Sequence, residues 1–338
     1  MIMYLNMVNN MVENLKNMIH IMNSVESSNV GLYLLFKFRK KEETKPKWKI
    51  RQMKMNDDLA EDVLNLSADF LKFIINQKSL DVIDYTPGNN TDKNIVEKVD
   101  VDNLPKFDEI KNLLNRVSTV LPANSQVKNY KPIAYIIKLD TFVNGVYDKS
   151  IVSFQYLQKQ NTLKKGKLFG WIDDEFKKME NDLFYMGTNF DALYCEDKTT
   201  DNEKVYMYIF NKQHIDWIFG FGEVFKEEIR TIFNSNEHKY NELININDFT
   251  NFILGDYHFV RKTYKVLKNG NFSRYFNREI ILKVEKEANI SKLEWDGENK
   301  LIINEDNIKK ILDIVNEDYL KSVVSDNVFR SLSKTSVD

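Results

Sequence analysis

At Asn211 the hydrophobic period of this sequence switches. From residue 133 up to that point, apolar residues alternate or run in short blocks between turn residues. This predicts strands over 133–142, 147–157, 183–186, 190–196 and 204–210. Beyond it they recur every three or four positions, predicting helices over about 212–218, 223–234, 247–254, 257–268 and 278–288. A small β segment near 292–303 and a helix over 306–315 precede a polar tail. Gly220 and Gly222 separate the first two of these helices, and Gly270 suits a C-terminal cap.

The N-terminal part mixes both periods. Met3, Met7, Met11, Leu15, Met18 and Met22 recur at helical spacing, so residues 3–23 read as an amphipathic helix docked on the core or on a second subunit. Strands follow over 30–39 and 47–54. A helix capped by Asn56 then carries Leu59, Val63, Leu66, Phe70 and Phe73 on one face. Residues 86–103 read as an acidic loop with a short strand near 94–99, 107–120 as a helix, and 123–131 as a linker. The expected class is α+β, with an N-terminal α/β portion, a central mostly antiparallel sheet and a helical C-terminal portion. The expected divisions are 1–28, 29–125 and 132–338, and 338 residues suffice for two domains at roughly 100–200 residues each. Abundant Asn, Lys and Ile are read as compositional bias, and the Asn-rich stretches receive little weight.

Several chemistries are disfavoured. One cysteine, Cys195, rules out an internal disulfide and any zinc site needing two thiolates, and suits a reducing cytosol. No window approaches the roughly 18 apolar residues of a membrane span. His20, His214, His238 and His258 form no metal-binding pair, and His214 and His258 sit where surface or capping roles suffice. Gly220-Phe221-Gly222 lacks the third glycine of a dinucleotide fingerprint, and no phosphate loop or nucleophile elbow occurs. No catalytic residue, cofactor or metal is therefore expected. The enzymatic alternative is a metal-dependent nuclease built on Asp191, Glu196, Asp197, Glu203 and Lys204. Carboxylates of that kind could hold Mg²⁺ ions that activate water, and a solvated polar turn has the same composition.

Positive charge is gathered. Residues 37–54 hold Lys37, Arg39, Lys40, Lys41, Lys45, Lys47, Lys49, Arg51 and Lys54 against Glu42 and Glu43, a local excess of seven in a chain of formal net charge -2. Lys45, Lys47, Lys49 and Arg51 alternate, placing them on one face of a strand. Such a face suits a phosphate backbone, whose condensed counterions it would release. It equally suits an edge strand guarded by lysines. Arg261, Lys265 and Lys268 share one side of a helix, with Lys262 beside them and Arg274 and Arg278 beyond the next turn. Lys164 and Lys165 lie with Lys159 and Lys167 in a loop.

Asn211-Lys212-Gln213-His214-Ile215-Asp216-Trp217-Ile218-Phe219-Gly220-Phe221 resembles a helix-opening block of KwaB-like proteins. Tyr319-Leu320-Lys321-Ser322, with Phe329 and Ser333-Lys334, is similar to that family's C-terminal signature. Tyr85-Thr86-Pro87-Gly88, Leu163-Lys164-Lys165-Gly166 before Phe169, and Phe190-Asp191-Ala192-Leu193-Tyr194 fit in the same order. The resemblance spans about residue 30 to the end and leaves out the Met-rich start. It implies a component of the Kiwa anti-phage defence system that binds double-stranded DNA. It also implies a membrane-embedded KwaA-like partner, assembly as a homo-oligomer (dimer or higher) and no established catalytic centre. The chain is expected to be cytoplasmic and recruited to the inner face of the cell membrane through that partner. The expected DNA contacts come from charge patterning: Arg39, Lys40, Lys41, Lys45, Lys47, Lys49, Arg51, Lys164, Lys165, Arg261, Lys262, Lys265, Lys268 and Arg274. A protein-interaction module that uses its basic patches on an acidic partner or anionic lipid is the remaining alternative.

Overall fold

A computed structural model describes residues 2–38, 47–53, 55, 57–77, 81–86, 95–117, 132–156, 168–172, 175–179, 190–197, 204–321 and 328–330. Side chains of residues 2–11 lie outside that description. The chain forms two compact units, Met1–Tyr85 with Lys93–Phe219, and Thr86–Asp92 with Gly220–Asp338.

The first unit contains α1 (Ile2–Asn23), β1 (Val30–Phe38), β2 (Lys47–Met53), α2 (Asp57–Ile75), β3 (Asp81–Asp84), β4 (Ile95–Asp100) and α3 (Phe107–Arg116). It continues with β5 (Pro132–Val143), β6 (Val146–Tyr156), β7 (Leu168–Ile172), β8 (Glu175–Met179), β9 (Ala192–Asp197), β10 (Tyr206–Ile209) and α4 (Lys212–Ile218). Eight strands make one sheet in the order β2-β1-β5-β6-β9-β10-β4-β3. Every pairing in it is antiparallel except β3 with β4. β7 and β8 form a separate hairpin.

The α+β class and the antiparallel character are as the sequence predicts. The N-terminal strands do not form a sheet of their own, because β1 pairs with β5 from Val30 opposite Leu139 onward. The predicted linker at 123–131 lies outside the described residues, and the strands on either side of it share this sheet. The predicted strand at 183–186 and the Asn56 cap also lie outside them.

Strand alternation gives the sheet two apolar faces. Leu32, Leu34, Phe36, Tyr135, Ile137, Leu139, Ile151, Leu193 and Tyr208 pack with Leu15, Met18 and Met22 of α1 and Leu59, Val63 and Leu71 of α2. Those three α1 residues are the part of the Met stripe whose side chains are described, and they are core. On the opposite face, Trp48, Phe154 and Tyr194 meet Phe107 of α3 and the α4 end. The Phe154 and Phe219 rings lie 5.2 Å apart, and the indole N–H of Trp48 donates to the carbonyl of Ile218 at 3.1 Å.

The second unit holds α5 (Phe221–Ser235), α6 (Glu237–Tyr240), α7 (Ile246–Gly255), α8 (Tyr257–Lys268), α9 (Asn271–Tyr275), α10 (Arg278–Glu287) and α11 (Glu305–Val315), then the paired strands β11 (Tyr319–Lys321) and β12 (Val328–Arg330). Its core is aromatic. Phe233 sits 5.3 Å from Phe272, which stacks on Phe276 at 4.6 Å, while Phe225 stacks on Tyr264 at 4.1 Å. Gly220 opens α5 with φ +78, a backbone state that glycine takes without steric cost. The asparagines, read as bias, do structural work: Asn245, Asn277 and Asn304 accept N–H bonds as N-caps of α7, α10 and α11, and Asn211 does so for α4 in the first unit.

Candidate functional site

The β2 segment carries the first expected contacts. Its first and third residues, Lys47 and Lys49, are exposed, and Trp48 between them is buried. Because β2 is an edge strand of the sheet, its outer side has no strand neighbour among the described residues. Arg51 departs from the expectation. It shares the face of Lys47 and Lys49, yet it is only 6% exposed and stands over the Phe36 ring at 5.9 Å. The reason is position along the strand. That face runs from open solvent at Lys47 to the α1–α2 core, where Met53 opposes Leu32 and Arg51 opposes Leu34. Arg39, Lys40, Lys41, Lys45, Lys164 and Lys165 lie outside the described residues.

The helical stripe lies in the other unit and behaves differently. The Lys262 ammonium donates to Asp318 at 2.6 Å and to Asp313, and both carboxylates are buried. Lys268 pairs with Glu228 at 2.5 Å, which holds its ammonium above the ordinary lysine range. Arg261 and Lys265 are half-buried along the same helix, and Arg274 lies over the Tyr275 ring at 5.8 Å. Lys262 and Lys268 therefore tie α8 to α11 and α5. They are not an open basic surface.

The carboxylates of the nuclease alternative are dispersed. Asp191 precedes β9, and Glu196 lies five residues on, roughly 17 Å along the strand. Glu196 pairs with Lys111 at 2.6 Å, Asp197 with Lys149 at 3.0 Å and Lys204 with Asp100 at 3.5 Å, while Glu203 lies outside the described residues. Among the described residues no group of three or more His, Cys, Asp or Glu could hold a metal ion. Burial pushes the Cys195 thiol up to about 11, which leaves little thiolate near neutral pH.

What the structure assembles instead is a polar network around α4. Asp191 Oδ1 lies 2.7 Å from His214 Nδ1, and its Oδ2 accepts from the Tyr156 backbone N–H at 2.5 Å. Burial raises the Asp191 carboxyl above its ordinary range, while His214 and that N–H act to lower it. The carbonyl of Asp191 accepts from the N–H groups of Phe210 and Asn211. Nearby, Lys212 and Glu97 form a buried ion pair at 3.0 Å, and the Tyr85 hydroxyl donates to Asp216. Tyr85, Asp191 and the Asn211–Asp216 run come from three separate blocks of the sequence and converge here. His214 is thus not an ordinary surface or capping residue, and its partner lies 23 residues upstream, on no common motif.

A family model described as "Kiwa protein KwaB-like" matches residues 131–325. The chain belongs to this KwaB-like family and is a component of Kiwa anti-phage defence. Neither a curated protein nor a solved structure matches it. The matched span runs from β5 through β11 and includes α4 and α8. It leaves out β1, β2 and the basic segment between and around them, although the resemblance was expected from about residue 30. Among the described residues, no helix is long and apolar enough to cross a membrane.

Proposed function

We propose that this chain is a non-catalytic DNA-binding effector of Kiwa defence. It holds double-stranded DNA through phosphate contacts and obstructs phage replication or transcription. It does so as a homo-oligomer, recruited from the cytoplasm to the membrane by a KwaA-like partner. Family membership supports the defence role. The observation that carries DNA contact is the pair of exposed lysines, Lys47 and Lys49, on an edge strand. They are two residues apart, roughly 7 Å, on a segment with seven excess positive charges. Each phosphate they neutralise would release counterions, with little dependence on base sequence. Because β2 lies outside the family match, this contact rests on charge alone and not on kinship. Lys262 and Lys268 are left out of the proposal, since carboxylates meet their charges.

The test is a binding titration of the full chain with duplex DNA, single-stranded DNA and RNA at low and moderate salt. The proposal expects duplex binding that weakens steeply with salt and varies little with sequence. Duplex affinity that barely changes with salt would exclude phosphate contacts as its basis. Plasmid nicking in Mg²⁺ that disappears in Asp191→Ala would overturn the non-catalytic reading.

A further inference from the structure

The two longest described strands, β5 and β6, outrun their neighbours. Pairing with β1 ends at Leu139, and pairing with β9 ends at Lys149. Residues 140–148 therefore have no strand on either side among the described residues. Their turn holds Asn144 at φ 53 and Gly145 at φ 77. Positive φ at both central residues marks a type I′ turn, whose twist matches that of the strands and stiffens the hairpin. The tip is apolar on both faces. Phe142 pairs with Tyr147 and Val143 with Val146, and successive pairs point to opposite sides. Phe142 is 47% exposed, Val143 56% and Val146 69%. The Phe142 and Tyr147 rings meet edge to face at 6.0 Å.

No charged residue lies between Asp140 and Asp148, and at the base of the tip both signs return. Lys138 donates to Asp140 at 2.6 Å and stands 5.5 Å over the Tyr147 ring, while Lys149 pairs with Asp197 at 3.0 Å. The shape narrows the occupant. A flat protein surface covers one face of a ribbon, and this tip offers two. Its three exposed apolar side chains amount to roughly 300 Å² over both faces, against about 800 Å² per partner in a stable protein interface. Neither face supplies enough to hold a second copy. A lipid surface surrounds what enters it and needs no matching relief. Residues 141–143 and 146–148 rise about 10 Å beyond the charged base. Apolar groups settle about 5–10 Å into the boundary between headgroups and acyl chains. Water still reaches the strand edges there, whereas the hydrocarbon core would leave their backbone groups unsatisfied.

We infer that the β5–β6 tip dips into a lipid surface, with Phe142, Val143 and Val146 at the acyl boundary and the charges at its base among the headgroups. The inference goes beyond the proposed function, in which a partner protein supplies the membrane contact, and it does not depend on DNA binding. Lys138 and Lys149 are balanced by Asp140 and Asp148 within the hairpin. Entry is therefore driven by burial of apolar surface and needs no anionic lipid. The whole tip lies within the span matched by the family.

The experiment is flotation of the full chain with vesicles of phosphatidylcholine, and of phosphatidylcholine with phosphatidylglycerol, at low and moderate salt. The native chain should float with both, with little dependence on salt. Phe142→Ser with Val146→Ser should lower its partitioning about tenfold. Phe142→Leu with Val146→Leu keeps the apolar surface and should keep the partitioning. No flotation of the native chain on phosphatidylcholine would overturn the inference, as would equal flotation of the native chain and the double serine variant. Flotation confined to the anionic vesicles and abolished by salt would also overturn it, because charge and not the tip would then be the contact. Should the serine variant lose only copurification with a membrane protein, with the native chain indifferent to pure lipid, the tip belongs in a protein groove and the lipid reading fails. Duplex affinity measured on the same variants is expected to stay unchanged, so none of these failures touches the DNA-binding proposal.

Discussion

The strand β2 and the helix α8 carry the same written signature, basic residues along one side of a regular element, and the fold sets those sides in different surroundings. On β2 the side bearing Lys47 and Lys49 opens to solvent at the sheet edge. On α8 the basic side meets neighbours, since the helix packs against α5, α7, α9 and α11. Glu228, Asp313 and Asp318 sit opposite its lysines. Helical spacing of charge therefore tells only that charges share a side. What that side faces depends on carboxylates 51 and 56 residues away from Lys262, which no local window contains.

The comparison breaks most visibly at Lys262. Lys262→Met leaves two buried carboxylates without their cation, which should cost about 3–5 kcal/mol in denaturant unfolding. Adding Asp313→Asn and Asp318→Asn should recover much of that loss. If Lys262→Met were as stable as the native chain, α8 would be no more committed to the fold than β2. Next comes Lys47→Glu with Lys49→Glu, which should lower duplex affinity about tenfold or more at moderate salt. A smaller effect is expected from Lys268→Ala. Its pair with Glu228 is half-exposed, so the loss should stay below about 1 kcal/mol. Because the pair raises the Lys268 pKa, its contribution is present below the ordinary lysine value and fades as pH rises through the raised one. Smallest of all, Lys49→Ala should change stability by no more than about 0.5 kcal/mol, since nothing buried depends on it. A larger loss would mean that β2, too, uses its lysines for folding.

The sequence showed the large elements clearly and the short ones poorly. The change at Asn211 is real: β10 ends at Ile209 and α4 begins at Lys212. α5, α7, α8, α10 and α11 fall where the apolar period places them. β3, β7, β8, α6, α9 and the β11–β12 pair were not predicted, because three to five residues are too few to establish a period. The Asn-rich stretches read as bias, yet at Asn211, Asn245, Asn277 and Asn304 the short side-chain carbonyl of asparagine caps a helix. The polarity of those positions held information that composition obscured. Arg51 shows the converse limit. Alternation set its face correctly, but where along β2 that face passes under α1 and α2 is a tertiary fact. The Asp191–His214 pair was illegible for the same reason, since it joins the entrance of β9 to the first turn of α4. Its two members lie in blocks that the family resemblance had singled out, without any hint that they touch.

The measurement that bears most directly on the account is the salt dependence of duplex affinity for the native chain beside the Lys47→Glu, Lys49→Glu variant. Log affinity should fall steeply with log salt for the native chain, with a slope shallower by about two in the variant. A slope that is steep in both and indistinguishable between them would contradict it, because the phosphates would then be held elsewhere.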